Sequence, residues 1–516
     1  MKKISLLILV ALSANVSKAQ TVPTWADDVA SIIYNKCSGC HHAGDIAPFP
    51  LMSYNNAYVY SSGIEASVSD GSMPPWPPDV NYRRFAHERL LSTNEKAKIL
   101  AWVAGGAPEG NPANAPAPPV YSSTNWKIPN PDLTLKIADY NSQATSTDIY
   151  RCFAIPTGIG VDKYISDIEV IPGNRSIVHH VLVFQDNSGA GIALDNNDPL
   201  PGYTNFGGTG VSGATLITGW VPGGGLSEQP AGFGIKLKAD SAIILQVHYP
   251  AGTVGQLDST RINLKFTTGP TPREMFLAPA LNHSTSMING PINIPANATR
   301  KYEEEYTIPA NITGFSVAPH MHLIGRSMKV YAISPGTLDT VPLINIPNWD
   351  FHWQGSYTFQ YAEKFPAGTK LRAEAFYDNT SNNPFNPSNP PQLVTVGEAT
   401  TDEMMITYFS YAIYQPGDEN ILLDSSLLNP TSAQAQQAAE LNVKMHPNPV
   451  NHDVYIGLPD ANGTYNLSIF NSVGQMVLSR QINGSNWYDV SSLTSGIYIV
   501  AIRNDKGFYT QKLVKN

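Results

Sequence analysis

Apolar and polar residues alternate with two different periods along this chain. Before residue 105 the apolar positions recur every three or four residues, which predicts helices over 27–34, 57–68 and 92–103. After residue 119, short segments alternate apolar with polar residues between Gly, Pro and Asn turns, which predicts strands. These segments are 132–137, 177–184, 235–238, 242–249, 261–266, 329–333, 370–376 and 404–408. The pattern indicates a multidomain chain, a small all-α domain followed by all-β sandwiches.

Composition shifts mark the expected domain limits. Residues 105–119 are rich in Gly, Pro and Ala and lack apolar periodicity, as in a stiff linker. A second stretch, 425–440, is rich in Ala, Gln and Ser, and turn residues near 269–273 suggest a seam between two sandwiches. The expected units are a signal peptide (1–19), the all-α domain (20–108), a Pro/Ala-rich linker (109–124), two jelly-roll-like sandwiches (125–268 and 269–425), a linker (426–442) and a small β-sandwich (443–516).

The N-terminus indicates export. Lys2 and Lys3 precede an apolar run over 4–12 that is too short to span a bilayer, and small residues allow cleavage before Gln20. We therefore expect a secreted or cell-surface protein that is exported through the periplasm. The net charge of −9 and the absence of a Lys/Arg-rich run argue against nucleic acid as a partner.

Two of the three cysteines lie in one motif, Cys37-Ser38-Gly39-Cys40-His41. This CxxCH spacing matches covalent attachment of a c-type haem, with Cys37 and Cys40 as thioether donors and His41 as a ligand of the haem iron. A zinc knuckle would need further Cys or His residues nearby, and His42 is the one such neighbour. The third cysteine, Cys152, has no partner within a disulfide framework.

The second axial ligand of the haem should be a thioether or an imidazole. Met73, on the proline-rich stretch that follows the second predicted helix, is the leading candidate, and Met52 and His87 are its rivals. Residues 25–104 resemble a class I cytochrome c domain, and the distal methionine of that family corresponds to Met73. The resemblance implies a relatively high potential, suited to passing single electrons.

Five histidines of the predicted β region occur at paired spacings. They are His179, His180, His248, His320 and His322. Residues two apart share a strand face, so His320 and His322 can converge on one ion, whereas adjacent His179 and His180 can do so only at a strand end or a bulge. Imidazoles with a thioether suit copper, while calcium would call for clustered carboxylates. Any one of these histidines alone is more often a core or surface residue.

Residues 125–425 resemble the copper type II, ascorbate-dependent monooxygenases, such as the peptidylglycine α-hydroxylating and dopamine β-monooxygenases. The ligands of one copper in that family correspond to His179, His180 and His248, and those of the second to His320, His322 and Met404. Strand alternation separates Met404 from Met405 and favours the former. The resemblance implies that the first copper passes an electron and that the second binds dioxygen, across a solvent-filled cleft, to hydroxylate a substrate C–H bond.

The resemblance also bears on the substrate. Gln246 and Tyr408 correspond to residues of the substrate cleft in the family. The carboxylate-binding arginine of the peptide-amidating branch is replaced here by Ala318, and a companion asparagine by Ile406. A peptide with a C-terminal glycine is therefore an unexpected substrate. His283 and His352 are expected to be structural.

Residues 443–516 resemble the C-terminal sorting domain of the type IX secretion system. The resemblance lies in the segments 447–449, 470–474, 496–498 and 512–515. It implies passage across the outer membrane by the type IX secretion machinery and removal of the domain. A carbohydrate-binding or stalk module is the alternative.

The sequence thus favours a copper monooxygenase with two copper ions and a covalent haem c that supplies electrons. Its partners would be dioxygen, a small organic or peptide substrate, and an external electron donor, either an ascorbate-like reductant or a redox protein. One alternative is a non-catalytic surface protein for electron transfer or copper binding. Another is an adhesive β-sandwich with vestigial histidines.

Overall fold

The structure, a computed structural model, describes residues 22–121, 126–337, 339–424, 439–440, 443–460, 463–471, 476–503 and 507–516. The predicted signal peptide and most of the second predicted linker lie outside these residues. Within the described ranges, no helix combines the length and the apolar character needed to cross a membrane.

The N-terminal part is a helical unit with a core of its own. A π-helical turn, Trp25–Val29, leads into α1 (Ala30–Lys36), and α2 (Tyr54–Val59), α3 (Ser61–Asp70) and α4 (Thr93–Ala104) follow. A reciprocal capping box between Ser92 and Glu95 fixes the start of α4. The rings of Trp25 and Trp102, 6.1 Å apart, lie in the core between these helices. The helices thus lie close to the positions that the apolar period predicts.

The first β region consists of two main sheets over one apolar core. Its strands are β1 Leu133–Lys136, β2 Tyr140–Asn141, β3 Ile149–Pro156, β4 Lys163–Ile171, β5 His180–Asp186, β6 Tyr203–Thr204, β7 Thr215–Trp220, β8 Ser227–Glu228, β9 Phe233–Leu237, β10 Ala242–Tyr249, β11 Leu257–Asp258, β12 Arg261–Phe266 and β13 Arg273–Glu274. A helix, α5 (Ala190–Asn197), follows β5. The sheet orders are β1-β12-β4-β9-β13, with β8 beside β4, and β6-β3-β10-β5-β7, and β2 pairs with β11.

Strand β10 is central in its sheet and buried on both faces. Leu245 and Val247 point into the core between the sheets. By strand alternation Gln246 and His248 lie on the opposite face, outside that core. Both are nevertheless buried, at 2% and 0% exposure. The side chains of Gln246 and His248 are therefore buried although they lie on the outer face of this sheet.

The second β region repeats this arrangement. Its strands are β14 Phe276–Asn282, β15 Asn293–Ile294, β16 Ala298–Thr307, β17 Ile312–His320, β18 Gly325–Ile333, β19 Thr340–Ile346, β20 Tyr357–Phe365, β21 Lys370–Asn379, β22 Val394–Thr395 and β23 Ile406–Ile413. Two four-stranded sheets, β14-β23-β17-β20 and β16-β21-β18-β19, enclose an apolar core, and β15 pairs with β22.

The C-terminal part is a third β unit with a separate core. Its strands are β24 Ala439–Glu440, β25 Lys444–His446, β26 Asp453–Gly457, β27 Thr464–Phe470, β28 Met476–Asn483, β29 Asn486–Asp489, β30 Gly496–Arg503 and β31 Gly507–Lys515. They form the sheets β24-β31-β30-β27-β28 and β25-β26-β29. The expectation of a mainly β chain with few helices is confirmed, and the domain limits stay a prediction.

Residues 76–89, here called the anchor segment, connect α3 to α4 and pack on the second β region. Phe85 is 1% exposed and belongs to the core of that region. The N–H groups of Asp79 and Ala86 donate to the carbonyls of Asn345 and Thr358, each over 2.8 Å. The helical unit is therefore attached to the second β region by a buried aromatic side chain as well as by backbone hydrogen bonds.

The segment expected to be a stiff linker also contacts the helical unit. The carbonyls of Pro108 and Glu109 accept the N–H groups of Trp25 and Ala26, each over 2.9 Å. The Tyr121 ring stacks on His42 with the centroids 3.7 Å apart. These contacts hold the described part of 109–121 against the helices.

Replacing Phe85 with alanine should destabilise the second β region, because a fully buried ring is removed and a cavity remains. The expected loss in the free energy of unfolding is about 3–5 kcal/mol. Phe376→Ala, at a position that is 40% exposed in the same region, should cost under about 1 kcal/mol. Calorimetric unfolding of both variants measures the difference, and equal losses would show that the anchor segment does not contribute to this core.

Candidate metal centres

The first histidine set lies at the end of a strand, where two adjacent rings can converge. Strand β5 begins at His180, so His179 lies outside the regular ladder, and its N–H donates to the carbonyl of His248 over 2.9 Å. His180 pairs directly with His248 across β5 and β10. One ligand nitrogen from each of the three rings lies within 4.8 Å of the others. Adjacent residues within a regular strand point to opposite faces. Because this pair lies at the strand end, both rings can turn toward the same point.

The ring nitrogens of this set have few competing partners. The Nδ1 atoms of His179 and His180 are 3.3 Å apart. Neither ring nitrogen of His248 makes a hydrogen bond with the described residues, although a carboxylate oxygen of Asp148 lies 3.2 Å from its Nε2. The Tyr150 ring stacks on His248 with the centroids 4.3 Å apart. The Nδ1 of His248, buried and without a hydrogen-bond partner among the described residues, fits a site that binds a metal ion.

Burial lowers the pKa of two of these rings. Loss of hydration lowers the pKa of His179 to about 3 and that of His180 well below its ordinary value of 6.5, and the neighbouring histidines add to both effects. A neutral imidazole has the lone pair that a metal ion needs. At neutral pH His179 and His180 are therefore in their ligating form.

The second set lies where strand β17 ends. His320 is the last residue of β17, His322 follows two residues later, and their ring centroids are 5.1 Å apart. The Nδ1 of His322 bonds to the carbonyl of Asp402 over 3.1 Å, and that of His320 lies 2.5 Å from Oε1 of Gln354. Because both oxygens accept, each Nδ1 carries the proton and each Nε2 keeps a lone pair. Burial lowers the pKa of His320 to about 4 and that of His322 well below 6.5.

The Glu403 carboxylate joins the His-x-His turn to the segment that holds Met404. It accepts the N–H groups of His322, Ile324 and Met404 over 2.9, 2.8 and 3.2 Å. Strand β23 begins at Ile406, which pairs with His320. Met404, which is 5% exposed, therefore lies just before the strand end that is opposite His320.

The two sets face each other with Phe351 between them. The Phe351 ring stacks on His179 at a centroid distance of 4.8 Å and an angle of 18°. It meets His322 edge to face, at 5.8 Å and 82°. The expected solvent-filled cleft is therefore occupied at this place by an aromatic side chain.

The residues expected to line a substrate cleft differ in their surroundings. Gln246 is buried, and its amide donates to the carbonyls of Asn205 (3.3 Å) and Gly208. Tyr408 is half-buried on β23 opposite Ala318 of β17, and burial raises the pKa of its hydroxyl to about 12. The amide of Gln246 is thus engaged by the 205–208 loop. The roles of both residues in substrate binding stay predictions.

The remaining histidines of this region have the structural contacts expected of them. His283 exchanges hydrogen bonds with the backbone of Met405, over 2.9 and 3.3 Å. His352 is 66% exposed and lies 3.0 Å from the Asp350 carboxylate.

The CxxCH motif continues from the end of α1. Cys37 caps the helix, and its carbonyl accepts the N–H groups of Cys40 and His41 over 3.1 and 2.9 Å. Both cysteines are free thiols. The Nδ1 of His41 donates to the carbonyl of Phe49 over 3.0 Å, so its Nε2 is available. This donor set fits attachment of a c-type haem.

Of the three candidates for the other axial ligand, Met73 is half-buried, and its N–H donates to the carbonyl of Ser67 over 3.1 Å. The backbone of Met52 accepts the Tyr34 hydroxyl over 3.2 Å. His87 is exposed on the anchor segment at a positive φ of 57°. The assignment of Met73 stays a prediction.

Several residues of the site are missed by sequence reasoning. They are Asp148, Tyr150, Phe351, Gln354 and Glu403. Glu403 has a signal in the sequence, since it precedes Met404 directly. The other four reach the histidines from distant segments of the chain, and neither period nor spacing identifies them.

Comparisons with known proteins match two parts of the chain. Residues 287–425 match the family model of the copper type II ascorbate-dependent monooxygenase C-terminal domain, and residues 444–516 match the secretion system C-terminal sorting domain. The DBH-like monooxygenase protein 1 of Mus musculus is 24% identical over 279 residues, which are 51% of this chain and 44% of that protein. The match therefore spans less than half of the mouse protein.

Two solved structures are similar only at a low level. The BSP domain of a biofilm-associated protein is 9% identical, with coverage of 73% of this chain and 84% of that chain and a TM-score of 0.13. PNGase F from Flavobacterium meningosepticum is 10% identical, with coverage of 55% and 97% and a TM-score of 0.23. These scores establish no shared fold.

The sorting domain indicates export by type IX secretion to the cell surface or beyond. The comparisons therefore support the copper type II ascorbate-dependent monooxygenase family, with the family model covering residues 287–425 and hence the second histidine set, and a type IX sorting domain at the C-terminus.

Proposed function

We propose that this chain is an exported copper monooxygenase that hydroxylates a C–H bond of an organic substrate with dioxygen. Electrons would arrive through a c-type haem on the helical unit. The observation that supports this most is the pair of histidine sets at which two β regions meet, one with three converging rings and the other with a His-x-His pair. The family match over 287–425 contains the second set.

His179, His180 and His248 would hold one copper ion, and His320, His322 and Met404 the second. Copper bound there supplies one-electron redox chemistry and activation of dioxygen. The thioether of Met404 favours the reduced ion, since soft sulfur ligands prefer Cu(I).

The protein residues around the sites orient the ligands and limit access of water. The carbonyl of Asp402 fixes the tautomer of His322, and Gln354 does the same for His320. Tyr150 covers one face of His248, and its hydroxyl bonds to the carbonyl of Glu398 over 2.5 Å. Because Ala318 offers no cation beside His320, we propose a substrate without a carboxylate at its reactive end.

The haem would be attached to Cys37 and Cys40, with His41 and Met73 as axial ligands. The Phe49 carbonyl would orient His41 and make it more electron-rich. Because Phe85 anchors the helical unit in the second β region, the haem would be held against the region that it supplies. Dioxygen, the substrate and an external reductant would be the partners, and the type IX machinery would remove the C-terminal domain on export.

Protein matured in a host that attaches haem should bind two copper ions per chain. His248→Ala should remove one copper, and Met404→Ala should disturb the other, since each alters a different ligand set. Metal analysis with electron paramagnetic resonance (EPR) measures this, and His452→Ala, an exposed position in the C-terminal unit, is the matched control. Fewer than two tightly bound coppers would refute the proposal, and two coppers without substrate-dependent oxygen uptake would leave an electron-transfer protein.

Cys37→Ser and Cys40→Ser should each convert two thioether links into one, and the double variant should lose covalent haem. The pyridine haemochrome spectrum distinguishes these states, because its α-band moves when a vinyl group remains unreacted. Cys152→Ser, at a buried thiol remote from the motif in the sequence, should keep the parent spectrum. Covalent haem in the double variant, or none in the parent, would exclude the assignment.

The metal-free protein should lose stability as the pH falls from about 6.5 to about 4. The pKa values of His179, His180, His320 and His322 are lowered in the folded state. Within that window the unfolded chain therefore binds protons that the native protein does not, and each ring contributes up to about 1.4 kcal/mol per pH unit.

Denaturation at several pH values checks this expectation. His320→Gln should make the pH dependence shallower, whereas His452→Gln should leave it unchanged. Equal slopes for the two variants would mean that the buried rings are already protonated or are hydrated.

A further inference from the structure

The loop between β19 and β20 contacts both histidine sets. Phe351 lies between His179 of the first β region and His322 of the second, at 4.8 and 5.8 Å between ring centroids. Three residues later, Gln354 reaches His320 over 2.5 Å. One short segment therefore touches three of the five candidate copper-binding histidines.

Hydrogen bonds within the loop fix its shape. The carbonyl of Phe351 accepts the Gln354 amide over 2.9 Å, and Asp350 accepts the N–H groups of His352 and Trp353 over 2.9 and 3.1 Å. The backbone N–H of the buried Trp349 donates to the Arg326 carbonyl over 2.8 Å. Phe351 is thus presented from a hydrogen-bonded turn of the second β region.

Other contacts join the two regions around the same place. The Asp148 carboxylate of the first region accepts the Thr400 hydroxyl of the second over 3.0 Å, and Tyr150 bonds to Glu398. These two contacts lie on the His248 side. Phe351 differs from them because its ring contacts an imidazole of each set.

We propose that Phe351 is a positioning residue that sets the separation of the two copper sites and keeps water out of the space between them. The proposal rests on the proposed function, since it assumes that both histidine sets bind copper. An aromatic ring suits this position because it packs against one imidazole face to face and against the other edge to face. The substrate would then reach His320 and His322 from a side other than that of His179.

The magnetic interaction between the two copper ions tests the proposal without a substrate. In the oxidised, fully loaded parent we expect dipolar broadening of the EPR spectrum and a half-field signal, both absent from the singly loaded His248→Ala variant. Phe351→Ala should lose the half-field signal while each copper keeps its own g-values and hyperfine splitting. Phe351→Leu, which keeps much of the volume, should retain more of the interaction than the alanine variant.

Phe206→Ala is the matched control, because it removes the same side chain from a 51% exposed position whose ring lies 5.1 Å from that of Tyr150. It should leave the half-field signal in place. An unchanged signal in Phe351→Ala, or its absence from a parent that binds two coppers, would overturn the role of Phe351 and leave the proposed function intact. A parent with fewer than two coppers would overturn both.

Discussion

Burial of uncharged imidazole rings is the constraint on which the candidate metal centres depend. A histidine removed from water resists protonation, and the four rings whose pKa values are lowered owe this first to burial. A neutral ring has one donor and one acceptor nitrogen, so a single carbonyl partner fixes both its orientation and its free lone pair. Asp402 and Gln354 supply such partners in the second set. In the first set the rings of His179 and His180 converge instead at the start of β5, beside His248 of β10.

Burial on this scale needs both β regions, because each set lies at the margin of its own sandwich. The cores of the two regions are separate, and His248 lies on the face of β10 that points away from the core. Cover for His248 comes from Tyr150 on the neighbouring strand β3, and cover for His179 comes from Phe351, which reaches across from the second β region. The geometry of both histidine sets therefore depends on how the two β regions pack against each other.

The sequence predicts the parts of this arrangement that local periodicity controls. Alternating residues identify β10 and hence the outward direction of His248, and the His-x-His spacing at His320 and His322 needs only a strand end. The strand-end position of His179 depends on where β5 begins, which alternation alone does not determine. Phe351 is separated from His179 by more than 170 residues in the printed sequence, so its contact follows from the packing of two regions. The burial of Gln246 under the 205–208 loop is likewise a tertiary feature.

Packing against the two β regions, rather than the linker, also determines the position of the helical unit. From the sequence alone, the placement of the CxxCH motif relative to the histidines would depend on the linker over residues 105–119. The structure shows instead that Asp45, close to the motif, forms an ion pair of 2.7 Å with Arg175 of the first β region, while Phe85 inserts into the core of the second. Arg89, at the end of the anchor segment, lies 3.5 Å from the Gly223 carbonyl, and Gly223 in turn adjoins Trp353 of the loop that holds Phe351. The helical unit is therefore held at three places on the two β regions, one of them beside the loop between the histidine sets. An electron carrier on that unit would keep a fixed distance from both sets, so its delivery of electrons would not depend on diffusion of a tethered domain.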